Sequence, residues 1–214
     1  MPLICRRRKS QRGEAIIEFA LITSLFLLPL FFGVVALGLN LGRNIQVTQI
    51  TRDLGHMYSQ GVDFASLGGQ VSGGSTNLVT QIAPSYNLSS SGNTVFIFSK
   101  LSTVYQADCT AAGVSSCTNA GQTVFLQRVV IGNSSIRASN LGTPTGMDAN
   151  GNIAPSTYLT TPAEVSSAFA SILSGAGLTQ QQGDVAYVVE GYTQTPDVSV
   201  FGLGVNGIYA ISIF

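Results

Sequence analysis

The chain has 214 residues, no tryptophan, and only 9% charged side chains, with ten basic residues balanced by ten acidic ones. That composition, rich in Gly, Ser, Thr and Asn after residue 59, excludes a highly charged disordered tail and describes a turn-rich domain. All ten carboxylates but only five of the basic residues lie beyond Gly13, so most of the chain is mildly acidic and lacks the electrostatics of nucleic-acid binding.

In chain order, the first element is a basic leader: Arg6, Arg7, Arg8, Lys9 and Arg12 hold half of the basic charge. From Phe19 to Leu39 no residue is charged. About 20 such residues, rising ~1.5 Å each, cross a ~30 Å hydrocarbon core. Basic residues before this span, and none after it until Arg43, place the N-terminus in the cytoplasm and the remainder outside, in a single pass. The leader's charge also favours anionic membrane lipid. An ordinary secretory signal has a shorter apolar core; here Gly33 and Ala36-Leu37-Gly38 offer only a weak cleavage site behind it.

Glu18 sits just inside the span. An acidic side chain at the centre of a membrane helix costs ~2.5–3.5 kcal/mol on insertion scales, and somewhat less near an end, so it calls for a partner. Cleavage between Gly13 and Glu14 would create an α-ammonium four residues before Glu18. A neighbouring copy could then offer its amine to this carboxylate and fix the register of the interface. The alternative is an uncleaved anchor whose Glu18 snorkels to the interface.

Past Leu39 the helix is expected to continue, because Val47, Ile50, Leu54 and Met57 recur at three- and four-residue spacing. Gly55 costs some helix stability and Gly61 ends the pattern. The expectation is one helix over 14–60, spanning the membrane at about 19–41 and kinked at Pro29. Gly38-x-x-x-Gly42 permits close approach by another helix, with chance small residues as the alternative.

Residues 61–77 read as a Gly/Ser-rich linker and 78–83 as a short helix, opening an extracytoplasmic domain over 78–214. Two β-rich runs, 94–105 and 123–131, form antiparallel strands. Between them Cys109 and Cys117 face an oxidising compartment and can close a short loop; two free thiols are the alternative. Cys5, in the leader, is a reduced bystander. Residues 140–157 form a loop, and Pro162 opens a helix through AEVSSAFASIL. Runs 185–192 and 208–213 complete the sheet. The fold class is α+β: a long N-terminal transmembrane helix followed by a small mixed domain with an antiparallel sheet.

Three motifs carry no chemistry. Gly202-x-Gly204-x-x-Gly207 has too little chain after it for a dinucleotide site. Asp148, Asn150 and Asn152 begin like a calcium loop, but Ile153 and Leu159 stand where glycine and glutamate are needed. His56 and Asp53 share a helix face without a nucleophile elbow anywhere in the chain. No catalytic residue, metal ligand or cofactor is assigned.

The basic run, Gly13 before a scissile bond, and Glu18 as fifth residue of the cleaved chain resemble the class III prepilin signals of type IV pilins. Phe19 stands where Flp-type pilins commonly carry Tyr. RGEAIIEFALI, with GVVALGLNLGR and ITRDLG after it, resembles more specifically the TadE-like minor pilins (pseudopilins) of the tight-adherence system, over about 11–58. Departures are Pro29, later than the family's proline, and Ala36, where an acidic residue is frequent. The resemblance implies a pilin-like subunit of the bacterial inner membrane, processed by a prepilin peptidase at Gly13–Glu14. It further implies work in Flp pilus assembly, adherence and type II-related secretion. The partners implied are a major Flp-type pilin, a companion minor pilin and the inner-membrane assembly platform. The rival from another class is an uncleaved single-span anchor displaying a binding domain.

Overall fold

One helix organises everything after it. The computed structural model describes residues 12–65, 79, 81, 83–194 and 207–214, with side chains from residue 16 onward. The leader before Arg12, most of the linker and the first two glycines of the Gly-x-Gly-x-x-Gly run lie outside the described residues. So does most of the 78–83 helix, although Val79 and Gln81 are helical.

Helix α1 (Arg12–Ile22) passes through a single π turn (Thr23–Leu27) into α2 (Leu28–Ser59). The wide turn answers Pro29, which has no N–H and whose ring crowds the carbonyl four residues back. The Leu28 N–H accordingly reaches back five residues to the Thr23 carbonyl. The expected break at Pro29 is thus a wide turn just before it. Gly61, with φ of 89°, ends the helix as expected, since only glycine adopts that conformation without strain.

Strands β1 (Thr94–Thr103), β2 (Thr123–Gly132), β3 (Ala186–Gln194) and β4 (Gly207–Ile213) form one antiparallel sheet in the order β2-β1-β3-β4. The register sets Thr94, Gly132, Gln194 and Gly207 at one end. That end meets the start of the domain-facing part of α2, where Val47 packs with Ile208 and Ala210. Farther along, Leu54 and Tyr58 pack with Phe64, Phe96, Phe98, Val129, Ile131 and Val189. Tyr58 stands edge-on to Phe98 at 5.6 Å, and its hydroxyl donates to Gln127 Oε1 at 3.0 Å.

The buried stripe of α2 is Val47, Thr51, Leu54, Gly55 and Tyr58, with Ile50 and Met57 partly buried beside it. Periodicity finds Val47 and Leu54. It misses Thr51, which is tolerated because its hydroxyl donates to the Val47 carbonyl at 2.7 Å. Opposite Thr51 lies Gly191, where a Cβ would come within 2.4 Å of Thr51 Oγ1 and 2.9 Å of the Phe96 ring. The missing side chain lets helix and sheet approach.

The opposite face of the sheet is covered by α3 (Gln106–Ala111), α4 (Pro155–Tyr158), α5 (Ser167–Gly175) and irregular chain around Leu101, Phe125, Leu141, Ile153, Phe169 and Val188. The helix expected from Pro162 begins later. Pro162–Glu164 is a 3₁₀ turn, Val165 bridges Val124, and Ser166 caps α5 by accepting the Phe169 N–H at 3.3 Å. This layer hangs on two buried carboxylates. Glu164 Oε1 accepts from the Thr145 N–H, the Thr145 hydroxyl and the Gly146 N–H at 3.2, 3.0 and 2.8 Å. Glu190 accepts from the Asn140 N–H at 2.9 Å, the Tyr209 hydroxyl at 2.7 Å, and the Ser139 hydroxyl. Arg128 is also buried, with its guanidinium over the Phe125 ring; burial lowers its pKa to about 10, opposed by Glu190.

Two outcomes follow from this packing. Gly191→Val forces α2 off β3 and lowers unfolding stability by about 1–3 kcal/mol, read as a reduced denaturant midpoint; an unchanged midpoint would show that the contact gives way freely. The Tyr58 pKa is raised above its ordinary 10.0, by burial first and then by Tyr187. Its contribution is complete below pH 10 and lost as pH rises from there toward the folded value. Tyr58→Phe therefore flattens the fall in stability above pH 10, and a slope equal to wild type would contradict the assignment.

Candidate assembly surface on the N-terminal helix

The segment from Ile16 to Leu41 is apolar all round apart from a few polar side chains, and none of its large side chains is covered. Its mean hydropathy reaches 2.5 in a window with no buried residue, in a helix running from Ile16 to Ser59. A helix hydrophobic all round is one that lies in lipid or inside other protein. This one is long and apolar enough to cross a membrane.

The predicted site residues are strung along this surface. Gly13 and Glu14 fall in the first turn of α1. Glu18 follows one turn later, exposed, and among the described residues nothing donates to or pairs with its carboxylate. Phe19, at 71% exposure, is equally uncovered. Gly38 and Gly42 are four residues apart and so on one side of α2; a Cβ built on either meets nothing within 4 Å. The fold brings none of these residues together: they share a helix, not a pocket. From Glu18 to Gly42 they lie on an uncovered helical surface.

Cys109 and Cys117 lie at the other extreme, in the crossover between the far ends of β1 and β2, bonded to each other with Cα atoms 5.9 Å apart. His56 is exposed and its ring packs on Phe214, centroids 4.4 Å apart. Asp148 closes a turn through Gly151 (φ 76°), accepting the Asn150 and Asn152 N–H groups at 2.8 Å each. Those bonds, that from Asn152 foremost, hold its pKa below the ordinary carboxylate value. Among the described residues no group of three His, Cys, Asp or Glu side chains is placed to hold a metal.

Residues 13–55 match the profile of the family described as TadE-like protein. Over that segment the N-terminal helix is similar to this family. The match takes in the predicted cleavage bond, Glu18, the whole span and the domain-facing stripe as far as Gly55, beside which the Phe214 ring sits. No curated protein and no solved structure matched the chain. The matched segment is thus the span-length apolar helix together with its first turns of contact on the sheet.

Sequence reasoning missed Glu164, Glu190 and Arg128 as organising residues. For Glu190 a signal exists: one carboxylate within AYVVEGY, a run otherwise fit for a buried strand. The membrane reading has a direct check. The full-length protein is expected to stay with the membrane pellet after an alkaline carbonate wash, and release to the supernatant would refute the span.

Proposed function

We propose that this chain is a pilin-like structural subunit of a Tad-type (Flp) pilus or a type II-related secretion apparatus, contributing to pilus biogenesis and adherence rather than catalysing a reaction. A prepilin peptidase removes the leader between Gly13 and Glu14. The helix from Phe19 to about Leu41 then holds the subunit in the inner membrane, N-terminus cytoplasmic and domain outside, until assembly. Partners in this reading are the major Flp-type pilin, a companion minor pilin and the inner-membrane platform.

The observation that carries the reading is the unpartnered Glu18 carboxylate on an uncovered apolar helix, inside the TadE-like segment. Charge placed in an apolar surface is tolerated where a counter-charge arrives with the neighbouring subunit. The new amine at residue 14 lies ~6 Å along the axis from Glu18, one turn away. Within one helix it sits in the turn below and meets the carboxylate poorly. Across an interface, a one-turn stagger sets amine against carboxylate. Phe19 fills the adjoining surface. The Gly38 and Gly42 side of α2 admits a second helix closely. The Cys109–Cys117 bond clamps the distal crossover of the exported domain.

The test is the N-terminal residue and intact mass of the protein from native membranes, with and without the peptidase. A chain beginning at Glu14 only when the peptidase is present supports the reading. A chain beginning at Met1 or Pro2 in both makes it a fixed anchor carrying a displayed domain. Glu18→Leu separates assembly from insertion: the variant is expected to enter the membrane at least as well as wild type yet fail to join assembled material. Normal assembly of Glu18→Leu would remove Glu18 from the mechanism.

A further inference from the structure

Arg43 breaks the logic of the helix it belongs to. It lies one turn before Val47, on the stripe that continues through Thr51, Leu54 and Tyr58 into the sheet contact. A cation is therefore directed at the underside of the domain, and Arg43 is part-covered while both its chain neighbours are exposed. It lines a cavity of about 220 Å³ with Gln46, Ser85, Tyr86, Asn93 and Gln194. Among the described residues its guanidinium has no hydrogen bond and no carboxylate partner. Its charge is felt by Tyr86, whose pKa burial raises and Arg43 lowers.

The chemistry of the lining selects an anion. A guanidinium offers a planar fork of donors matched to two oxygens of a phosphate. The amides of Gln46, Asn93 and Gln194 and the hydroxyl of Ser85 can supply donors to the remaining oxygens. Among the described residues no carboxylate lines the cavity. The acidic residues Asp63, Asp108 and Asp184 stand instead beside the far ends of α2, β1 and β3.

Position selects the source of the anion. Arg43 lies two residues past Leu41, ~3 Å beyond the end of the span, which is the level of lipid headgroups. A tyrosine beside it is the side chain that favours that interface. We infer that the Arg43 cavity is a phospholipid-headgroup site, in which the phosphodiester of one lipid of the outward-facing leaflet is held between α2 and the membrane-facing end of the sheet. The site seats the domain on the bilayer while the subunit waits in the membrane. This rests on the membrane reading alone and not on cleavage or assembly, so a negative peptidase result leaves it standing.

The experiment uses the full-length chain in a non-ionic detergent. Native mass spectrometry counts retained lipid after addition of phosphatidylglycerol, phosphatidylcholine, or diacylglycerol, which has the same tails and no phosphate. One phospholipid per chain is expected to survive delipidation, and diacylglycerol none. Arg43→Gln is expected to lower occupancy about ten-fold or more, as loss of a charge-assisted contact requires. Arg52→Gln, an exposed arginine farther along the same helix, is expected to leave it unchanged. Matching circular dichroism spectra show that both variants are folded. Retention by Arg43→Gln equal to wild type overturns the proposal, as does equal retention of diacylglycerol or an equal loss in Arg52→Gln. Displacement of the lipid by millimolar inorganic phosphate also overturns it, since the site would then take a free anion.

Discussion

Between Leu41 and Val47 the N-terminal helix exchanges one apolar environment for another, and the rest of the structure depends on that exchange. Before it, the side chains are uncovered on every side and suited to lipid or to other helices. After it, the same helix keeps one stripe for the sheet and gives the rest to water. Because the helix is continuous, the stripe and the apolar segment have a fixed rotational relation. The π turn does not interrupt this relation, since it lies inside the span, well before the stripe.

The stripe alone cannot hold the domain's second layer, which has little regular structure. That layer is pinned by polar groups under the sheet: Glu190 gathers residues 139 and 140 and Tyr209, and Glu164 gathers residues 145 and 146. Buried carboxylates are costly when unpartnered and directional when satisfied, which suits them to fixing loops that hydrophobic contact would leave free to slide. The satisfaction is incomplete: Glu164 Oε2 is buried without a hydrogen-bond partner among the described residues, as are Arg128 Nε and Nη2, and the Phe125 face and the field of Glu190 offset only part of the desolvation of Arg128.

The helix was legible because its signals are local and repeated: an uncharged run of membrane length, a three-and-four spacing, and a glycine at the end. The strands were legible for the same reason, as β-branched runs bounded by turns. What escaped were contacts made between distant segments. Thr51 enters the buried stripe because Gly191, far along the chain, has no side chain to oppose it. The helix from Pro162 starts late because Val165 is drawn to Val124 and Glu164 to Thr145. Neither partner can be read from the segment itself. The site residues on α1 and α2 are proposed from type and spacing; the structure adds the exposure of those from Glu18 onward.

Glu18 and Arg43 bracket the span from opposite ends, 25 residues or ~37 Å of helix apart, close to the ~40–45 Å of a bilayer with its headgroups. Each is a charge left unmatched among the described residues, and the two call for different partners. A carboxylate at the inner margin of the span is matched, in the proposed reading, by the amine of a neighbouring subunit, since the adjoining lipid tails offer no cation. A guanidinium at the surface is matched by the bilayer itself. In a membrane-held subunit the outer charge is then satisfied and the inner one is not, a bias toward association with a neighbouring helix. In the proposed reading, assembly into a fibre would reverse the situation: Glu18 would gain its counter-charge as Arg43 leaves the headgroups, and Arg43 would need a protein acceptor or carry its lipid along. The electrostatic part of leaving the membrane would then fall on two residues at the two ends of one helix.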